Sequence, residues 1–129
     1  MHYTIHCDAG SKGNPGYAYG SYQIKAPAWT LAQQEMMLDE SATCNQAEFM
    51  ILIEALKELK NHLGAFLESE ELTIYSDSKL LIMTAQGKWK LKNPMLLPLR
   101  NELLSLLKLF RSHQLHWTPR ETMLTLFGH

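Results

Sequence analysis

Three acidic residues that lie far apart in the chain each stand at a position where a side chain can serve a binding site. Asp8 follows the apolar and alternating stretch that opens the chain, Asp77 follows a second apolar run, and Glu48 lies in the first turns of a long helical pattern. In open α/β sheets, ligand sites form at the carboxyl ends of strands. Asp8 and Asp77 become neighbours if their strands lie side by side, and Glu48 can reach both from a helix packed on the sheet.

Such a group of carboxylates has a definite chemistry. Clustered carboxylates repel one another, and they bind protons or move apart unless a cation lies between them. Their hard oxygen atoms suit Mg²⁺, with Mn²⁺ as a substitute. Two such ions about 3.5–4 Å apart can stabilise the attacking and leaving oxygens of a phosphodiester displacement. An isolated Asp at a strand end is usually a turn former, and a Glu near a helix start usually meets the helix dipole, so the hypothesis requires the three to converge.

The bulk properties are those of an ordinary globular chain. It has 129 residues with 46% apolar and 19% charged residues, which predicts a single domain over residues 1–129. The net charge of -1 does not indicate a strongly basic nucleic-acid binder, so any nucleic acid must be held by a local patch and metal ions. Cys7 and Cys44 match no zinc motif and are expected to be free thiols.

The start of the chain has neither a basic segment nor a long apolar stretch, so it does not have the pattern of a signal peptide. No apolar run approaches the roughly 20 residues that cross a bilayer. These observations predict no membrane association and a cytoplasmic location.

The elements that must position the acids follow from hydrophobic periodicity and turn residues. The pattern predicts strands over 3–7, 17–25, 29–38, 72–75 and 113–117, and helices over 43–63, 79–85, 94–111 and 119–127. Residues 8–16 hold three glycines and a proline and are expected to form a turn. The order predicts an α/β fold with a five-stranded mixed sheet, in which a three-stranded antiparallel meander is joined to parallel strands covered by helices.

Four stretches of the chain resemble motifs of the ribonuclease H family, type 1, in its short form without the basic extension between helices. They are residues 8–16 (DAGSKGNPG), 43–49 (TCNQAEF), 74–82 (IYSDSKLLI) and 87–94 (GKWKLKNP). The four follow one another in the family's order and at fitting separations, and the resemblance covers residues 1 to 121.

This resemblance implies a ribonuclease H-like fold and hydrolysis of the RNA strand of an RNA/DNA hybrid with two Mg²⁺ ions. It assigns metal binding to Asp8, Glu48 and Asp77. It implies contacts with the nucleic acid for a further set of residues, namely Asn14, Thr43, Asn45 and Gln46. A protein that recognises RNA/DNA hybrids needs such contacts, because the 2′-hydroxyls that distinguish RNA from DNA are exposed in the wide minor groove. Cys44 stands where the family usually has Asn, which predicts the loss of one minor-groove hydrogen bond.

The basic loop allows two interpretations. Lys88, Lys90 and Lys92 surround Trp89, and together they can hold the DNA strand by charge and stacking. Alternatively, Trp89 anchors the loop on the core beneath solvated lysines.

The end of the chain departs from the family pattern. The family usually has a fourth acid in its final helix, but Phe127 stands at that position, and Met123 stands where an Asn is usual. We therefore expect a truncated final helix. Glu121 or His129 could replace the missing ligand, but a surface acid and a free terminal imidazole are the expectation.

A shortened helix would also leave apolar sheet surface exposed. The apolar tail at 124–127 is expected to pack against the body or against a second chain, and a homodimer through the uncovered sheet face is one expectation.

Three functions remain open at this point. The first is a metal-dependent endonuclease that acts on RNA/DNA hybrids, favoured by the three acids and their flanking motifs. The second is a catalytically impaired nucleic-acid-binding module of the same fold, favoured by the missing fourth acid. The third, a nuclease of the same fold for DNA junctions or ends, is disfavoured by the hybrid-contact motif at 43–46.

Overall fold

The computed structural model describes residues 1–129 and contains one five-stranded sheet, four α-helices and a short 3-10 helix. The strands are β1 (His2–Gly13), β2 (Gly16–Lys25), β3 (Thr30–Ala42), β4 (Glu71–Ser76) and β5 (Ser112–Trp117). The helices are α1 (Cys44–Leu63), the 3-10 helix (Gly64–Ser69), α2 (Lys79–Ala85), α3 (Leu97–Leu107) and α4 (Arg120–Phe127). None of the helices combines the length and the apolar character needed to cross a membrane.

The sheet has the strand order β3-β2-β1-β4-β5. β1 pairs antiparallel with β2, and β2 pairs antiparallel with β3. β1 also pairs parallel with β4, which in turn pairs parallel with β5. The predicted mixed sheet is therefore confirmed, with β1 at its centre joining the meander to the parallel strands.

The core lies between this sheet and α1, which contacts β1, β2 and α3. Alternate residues of β1, namely Tyr3, Ile5 and Cys7, point into it and are buried. Burial of a large aliphatic side chain contributes about 1.5–3 kcal/mol, so this packing fixes the helix on the sheet. Gly20 lets α1 come close, since a Cβ there would lie 2.8 Å from Cγ1 of Ile51.

The capping box at the start of α1 is present as predicted. The Gln46 backbone N–H donates to Thr43 Oγ1 at 3.1 Å, and the Thr43 backbone N–H donates to Gln46 Oε1 at 2.8 Å. Each bond satisfies a backbone N–H that would otherwise lack a partner. The first turns of α1, which carry Glu48, therefore have a fixed direction.

Three boundaries differ from the sequence prediction. Residues 8–13 are not part of a turn but continue β1, because they pair along their length with β2 and leave only Asn14 and Pro15 to connect the strands. β3 extends to Ala42. The helix predicted over 94–111 is confined to Leu97–Leu107, with Pro98 tolerated in its first turn. After Leu107 the α-helical pattern gives way to hydrogen bonds that span three residues, such as that from the Phe110 N–H to the Leu107 oxygen at 3.2 Å. Phe110, which follows this turn, is buried in the core.

The two cysteines are free thiols, as expected, and the last helix is packed on the body of the domain through one of its faces. Cys7 is a buried free thiol and Cys44 a half-buried one. In α4, Met123 is fully buried whereas Leu124 is 44% exposed. Met123 therefore holds α4 on its own chain just before the predicted tail at 124–127, in which Leu126 and Phe127 are half-buried. A homodimer stays a prediction.

Met123→Ala tests this packing. We expect the variant to lose about 2 kcal/mol or more of the free energy of unfolding, because a fully buried methionine leaves a cavity. The measurement is urea unfolding followed by circular dichroism. Leu124→Ala is the matched control on the same helix and is expected to change stability by less than about 0.5 kcal/mol. Equal effects of the two substitutions would contradict the packing described, and a midpoint that rose with protein concentration would indicate a dimer.

Candidate metal centre

The acids Asp8 and Asp77 are placed by the parallel pairing of β1 with β4. The last paired residues are Cys7 and Ser76, so Asp8 and Asp77 are the next residues on two adjacent strands. β1 continues past Asp8 toward Gly13, which means that Asp8 does not end its strand as predicted but ends the parallel part of it. The two acids are therefore close to each other because of the strand order and the register of the pairing.

Glu48 completes the group from the other side. It lies on the second turn of α1, and one ligand oxygen from each of Asp8, Glu48 and Asp77 lies within 4.8 Å of the other two. Asp8 is 3% exposed and Glu48 is 8% exposed, while Asp77 is half-buried. The structure thus brings together the three acids that the sequence predicted would converge.

Burial and mutual repulsion make these carboxylates hard to ionise. Burial, reinforced by the negative charge of Asp77, raises the pKa of Asp8 to about 6. Burial also raises the pKa of Glu48 well above its usual range, and the charges of Asp8 and Asp77 add to that rise. The nearby Ala9 backbone N–H lowers the pKa of both groups but does not cancel the rise. A bound cation would oppose these rises, because a nearby positive charge stabilises the ionised carboxylates.

The residues present fit a divalent cation. Oε2 of Glu48 is buried and has no hydrogen-bond partner, which is a costly state for a carboxylate oxygen unless a ligand meets it. All three side chains offer hard oxygen atoms, the ligands that Mg²⁺ and Mn²⁺ take in proteins. The orphaned oxygen and the donor set therefore point to the same kind of ligand.

His129 does not behave as the free terminal imidazole that was expected. Its Nδ1 lies 3.2 Å from Oδ2 of Asp8, and its Nε2 lies 2.7 Å from Oγ of Ser21. The expectation of a free imidazole was wrong, because Asp8 and Ser21, which lie far from His129 in the sequence, hold its ring in place. Gly128 is the one sequence signal that a turn follows α4. Glu121, by contrast, is an exposed surface acid as expected.

The acids lie in an open cavity of about 600 Å³ whose rim holds two residues, Lys79 and Trp117, to which the sequence assigned no role, and Arg120, which the sequence offered either as a phosphate contact or as a solvated residue. Lys79, Trp117 and Arg120 line it together with the acids. The Trp117 Nε1–H donates to the Asp77 backbone oxygen at 3.1 Å, and the Lys79 ammonium lies 5.1 Å from the centre of the Trp117 ring. The cavity therefore combines an anionic floor with cations at its edge, an arrangement suited to a phosphate that meets metal ions.

The residues predicted to contact nucleic acid occupy several environments. Asn14 Oδ1 accepts from the Cys44 backbone N–H at 3.1 Å, so it joins the turn after β1 to the start of α1. Thr43 and Gln46 form the capping box. Asn45 is exposed and lines the cavity. Of this set, Asn45 is the residue that both lines the cavity and is exposed to a ligand, whereas the side chains of Asn14, Thr43 and Gln46 form hydrogen bonds within the chain.

Trp89 is 45% exposed and does not line the cavity. Leu91, which is 9% exposed, is the residue that anchors the basic loop on the core. The interpretation in which Trp89 is the anchor is therefore wrong, because that task falls to its neighbour. The indole and the flanking lysines Lys88, Lys90 and Lys92 face solvent.

Comparison with known proteins shows the family to which the chain belongs. A family model described as RNase H matches residues 1–119. The bifunctional protein Rv2228c of Mycobacterium tuberculosis is 36% identical over 121 residues, which are 93% of this chain and 32% of that protein. The uncharacterized protein Mb2253c of Mycobacterium bovis matches to the same extent. The chain thus spans about a third of the length of the curated relatives it matches.

Solved structures of RNase H proteins have the same fold as this chain. The N-terminal RNase H domain of Rv2228c from Mycobacterium tuberculosis has a TM-score of 0.83 at 32% identity, covering 94% of this chain and 84% of that one. RNase H1 from the archaeon Halobacterium salinarum has a TM-score of 0.83 at 28% identity, covering 95% and 89%. LC11-RNase H1, isolated from compost and solved in complex with an RNA/DNA hybrid, has a TM-score of 0.84 at 28% identity, covering 93% and 87%. The sheet and helices are those of an RNase H-like α/β domain. This chain belongs to the ribonuclease H family.

The raised pKa of Asp8 predicts how stability depends on pH without divalent ions. Because the folded state holds a proton that the unfolded state has lost, wild-type stability falls as the pH rises from about 4 to about 6. Asp8→Asn removes this loss and should stabilise the metal-free protein at pH 8 by up to about 2 kcal/mol, which is a rise in melting temperature of up to about 7 °C. At pH 4 the difference should largely disappear. Thermal melts in a chelator at both pH values measure it.

Glu40→Gln is the control, since Glu40 is an exposed acid on β3 and its loss should leave the melting temperature nearly unchanged at both pH values. A variant Asp8→Asn that melted below the wild type at pH 8 would show that the contacts of Asp8, including the one with His129, outweigh the repulsion within the cluster.

Proposed function

We propose that this chain is a metal-dependent endonuclease that hydrolyses the RNA strand of RNA/DNA hybrids. The observation that carries the proposal is the cluster of three carboxylates within 4.8 Å, with a buried and unpartnered Glu48 oxygen, in a ribonuclease H fold. LC11-RNase H1, which shares the fold, was solved with an RNA/DNA hybrid, and this supports the choice of substrate.

Asp8, Glu48 and Asp77 would hold the divalent ions, with Mg²⁺ as the expected ion and Mn²⁺ as a substitute. When bound, two such ions would supply an activated water and a positive charge at the leaving oxygen. The chain supplies the rigid geometry: two acids from adjacent parallel strands and one from a capped helix, so that their separation is set by backbone pairing and core packing.

The rim residues would hold the hybrid against the acids. Lys79 and Arg120 carry positive charge at the cavity edge and would meet phosphates. Asn45, exposed beside Glu48 at the start of α1, is the best-placed polar group to reach the minor groove, where the RNA strand presents its 2′-hydroxyls. Thr43, Gln46 and Asn14 would assist mainly by fixing this helix start.

A second candidate is a catalytically impaired nucleic-acid-binding module with the same fold. Phe127, at the position of the family's usual fourth acid, supports it, because its ring stacks with the His129 ring at 6.0 Å and offers no ligand oxygen. Three acids remain to hold a cation, which favours the enzyme.

Other features of the proposal come from the sequence and stay predictions. These are a cytoplasmic location, one domain over residues 1–129, and a homodimer through the uncovered sheet face.

Cleavage of a labelled RNA/DNA hybrid tests the function directly. We expect RNA-strand cleavage in Mg²⁺ or Mn²⁺ and none in a chelator, with DNA duplex left intact. Asp77→Asn should lower the rate by about a hundredfold or more, because a metal-held charge stabilises the transition state by several kcal/mol. Glu121→Gln, an exposed acid outside the cavity, is the control and should retain the rate. Binding without cleavage in either metal would select the impaired module.

The exposed indole of Trp89 predicts a contribution to binding rather than to folding. Trp89→Ala should weaken binding of the hybrid by about 1–3 kcal/mol, the usual effect of removing a ring that stacks on a base. Fluorescence anisotropy of a labelled hybrid in Ca²⁺, which prevents turnover, measures it. Met95→Ala, which removes a 63% exposed side chain, is the control. Unchanged affinity together with lower thermal stability would assign Trp89 to the loop's structure.

A further inference from the structure

We propose that His129 is a ligand of the divalent ion on the Asp8 side of the cluster, and that its nitrogen shifts the preference of this centre from Mg²⁺ toward Mn²⁺. The inference rests on the proposed function in one respect, namely that the three acids bind a divalent cation. It adds a residue that lies outside the family's usual ligand positions, since Phe127 occupies the position of the fourth acid.

The backbone after α4 is built to return His129 to the sheet. Gly128 has a φ of 77°, and its N–H donates to the Leu124 oxygen at 2.9 Å, which ends the helix in a left-handed turn. A residue with a side chain rarely adopts this conformation. The turn directs the following imidazole into the cavity, where its side chain is 20% exposed.

Aromatic neighbours then fix the plane of the ring. Phe127 lies nearly parallel to it at 22°, and the ring of Tyr19 meets its edge at 5.5 Å and 80°. Phe127, at the position of the family's usual fourth acid, therefore supports the imidazole ring.

The distances around the ring are those of a metal ligand. Two ligands at right angles on an ion with bonds of about 2.1 Å lie about 3.0 Å apart. His129 Nδ1 and Asp8 Oδ2 are 3.2 Å apart, so both atoms can bind one ion with little movement.

The second ring nitrogen is held in the way that ligating histidines usually show. Nε2 lies 2.7 Å from Oγ of Ser21, which is directly opposite Asp8 in the pairing of β1 with β2. When the Nε2–H donates to Ser21, the Nδ1 atom is the unprotonated nitrogen and faces Asp8. A histidine that ligates a metal typically donates its other N–H to such a group, which fixes the tautomer and the ring orientation.

The chemistry of the ligand determines the selectivity. Mg²⁺ binds oxygen ligands and keeps several waters, whereas imidazole nitrogen suits transition-metal ions. A centre with three carboxylates and one imidazole should therefore hold Mn²⁺ more tightly, relative to Mg²⁺, than one with four carboxylates.

The test uses the full chain without nucleic acid and detects the nitrogen directly. Electron spin-echo spectra of bound Mn²⁺ should show modulation from a coordinated imidazole nitrogen in the wild type and none in His129→Ala. Removal of the imidazole should lower Mn²⁺ affinity by about tenfold or more, while Mg²⁺ affinity, measured by competition, should change by less than about twofold. His62→Ala, an exposed histidine at the end of α1, is the matched control and should leave the spectra and both affinities unchanged.

His129→Asp provides a second variant. It should abolish the nitrogen signal and raise Mg²⁺ affinity relative to Mn²⁺ affinity. Mn²⁺ bound to the wild type without nitrogen modulation would overturn the role of His129 and leave the proposed nuclease intact. Absence of any Mn²⁺ or Mg²⁺ binding to the wild type would overturn both. The wild-type spectrum alone can overturn the role of His129, and either His129→Ala or His129→Asp is enough to assign a nitrogen signal to this residue, so poor folding of one variant does not prevent a decision.

Discussion

Repulsion among three carboxylates held within 4.8 Å of one another is the interaction around which this molecule is arranged. Two of them, Asp8 and Glu48, are almost completely buried, so solvent does little to screen their charges. Left to themselves, such groups would separate or stay protonated. The fold prevents separation because each acid is attached to an element that cannot move alone. Asp8 lies on the central strand, Asp77 directly follows its parallel neighbour, and Glu48 lies on a capped helix packed against β1 and β2.

The rigidity that opposes this repulsion comes from ordinary core packing. The absence of a side chain at Gly20 lets α1 approach the sheet closely, and the capping box orients the turn that carries Glu48. The positive and polar groups at the cavity, including Lys79, Arg120 and His129, partly balance the anionic floor. Stability and function are opposed at this point, since the same carboxylates that destabilise the metal-free protein form its candidate metal centre.

Much of the architecture was predictable because it depends on local patterns. The order of strands and helices, the mixed sheet, the capping box at Thr43 and the convergence of Asp8, Glu48 and Asp77 were all predicted. The errors fell where tertiary pairing overrides local signals. Residues 8–13 are rich in glycine, yet they form strand because β2 supplies their hydrogen-bond partners. Trp89 is the aromatic side chain of its loop, yet Leu91 is the residue that reaches the core.

By itself, the sequence determined the family, the set of acids and the absence of a carboxylate at Phe127, because these are matters of residue type and order along the chain. Only the tertiary structure decided what occupies the space beside Asp8. The contact between His129 and Asp8 joins residues from opposite ends of the chain, and it exists because Ser21 lies opposite Asp8 in the sheet while Gly128 turns the chain back toward it. Strand register and backbone handedness act together there, and neither can be deduced from the position of a single histidine.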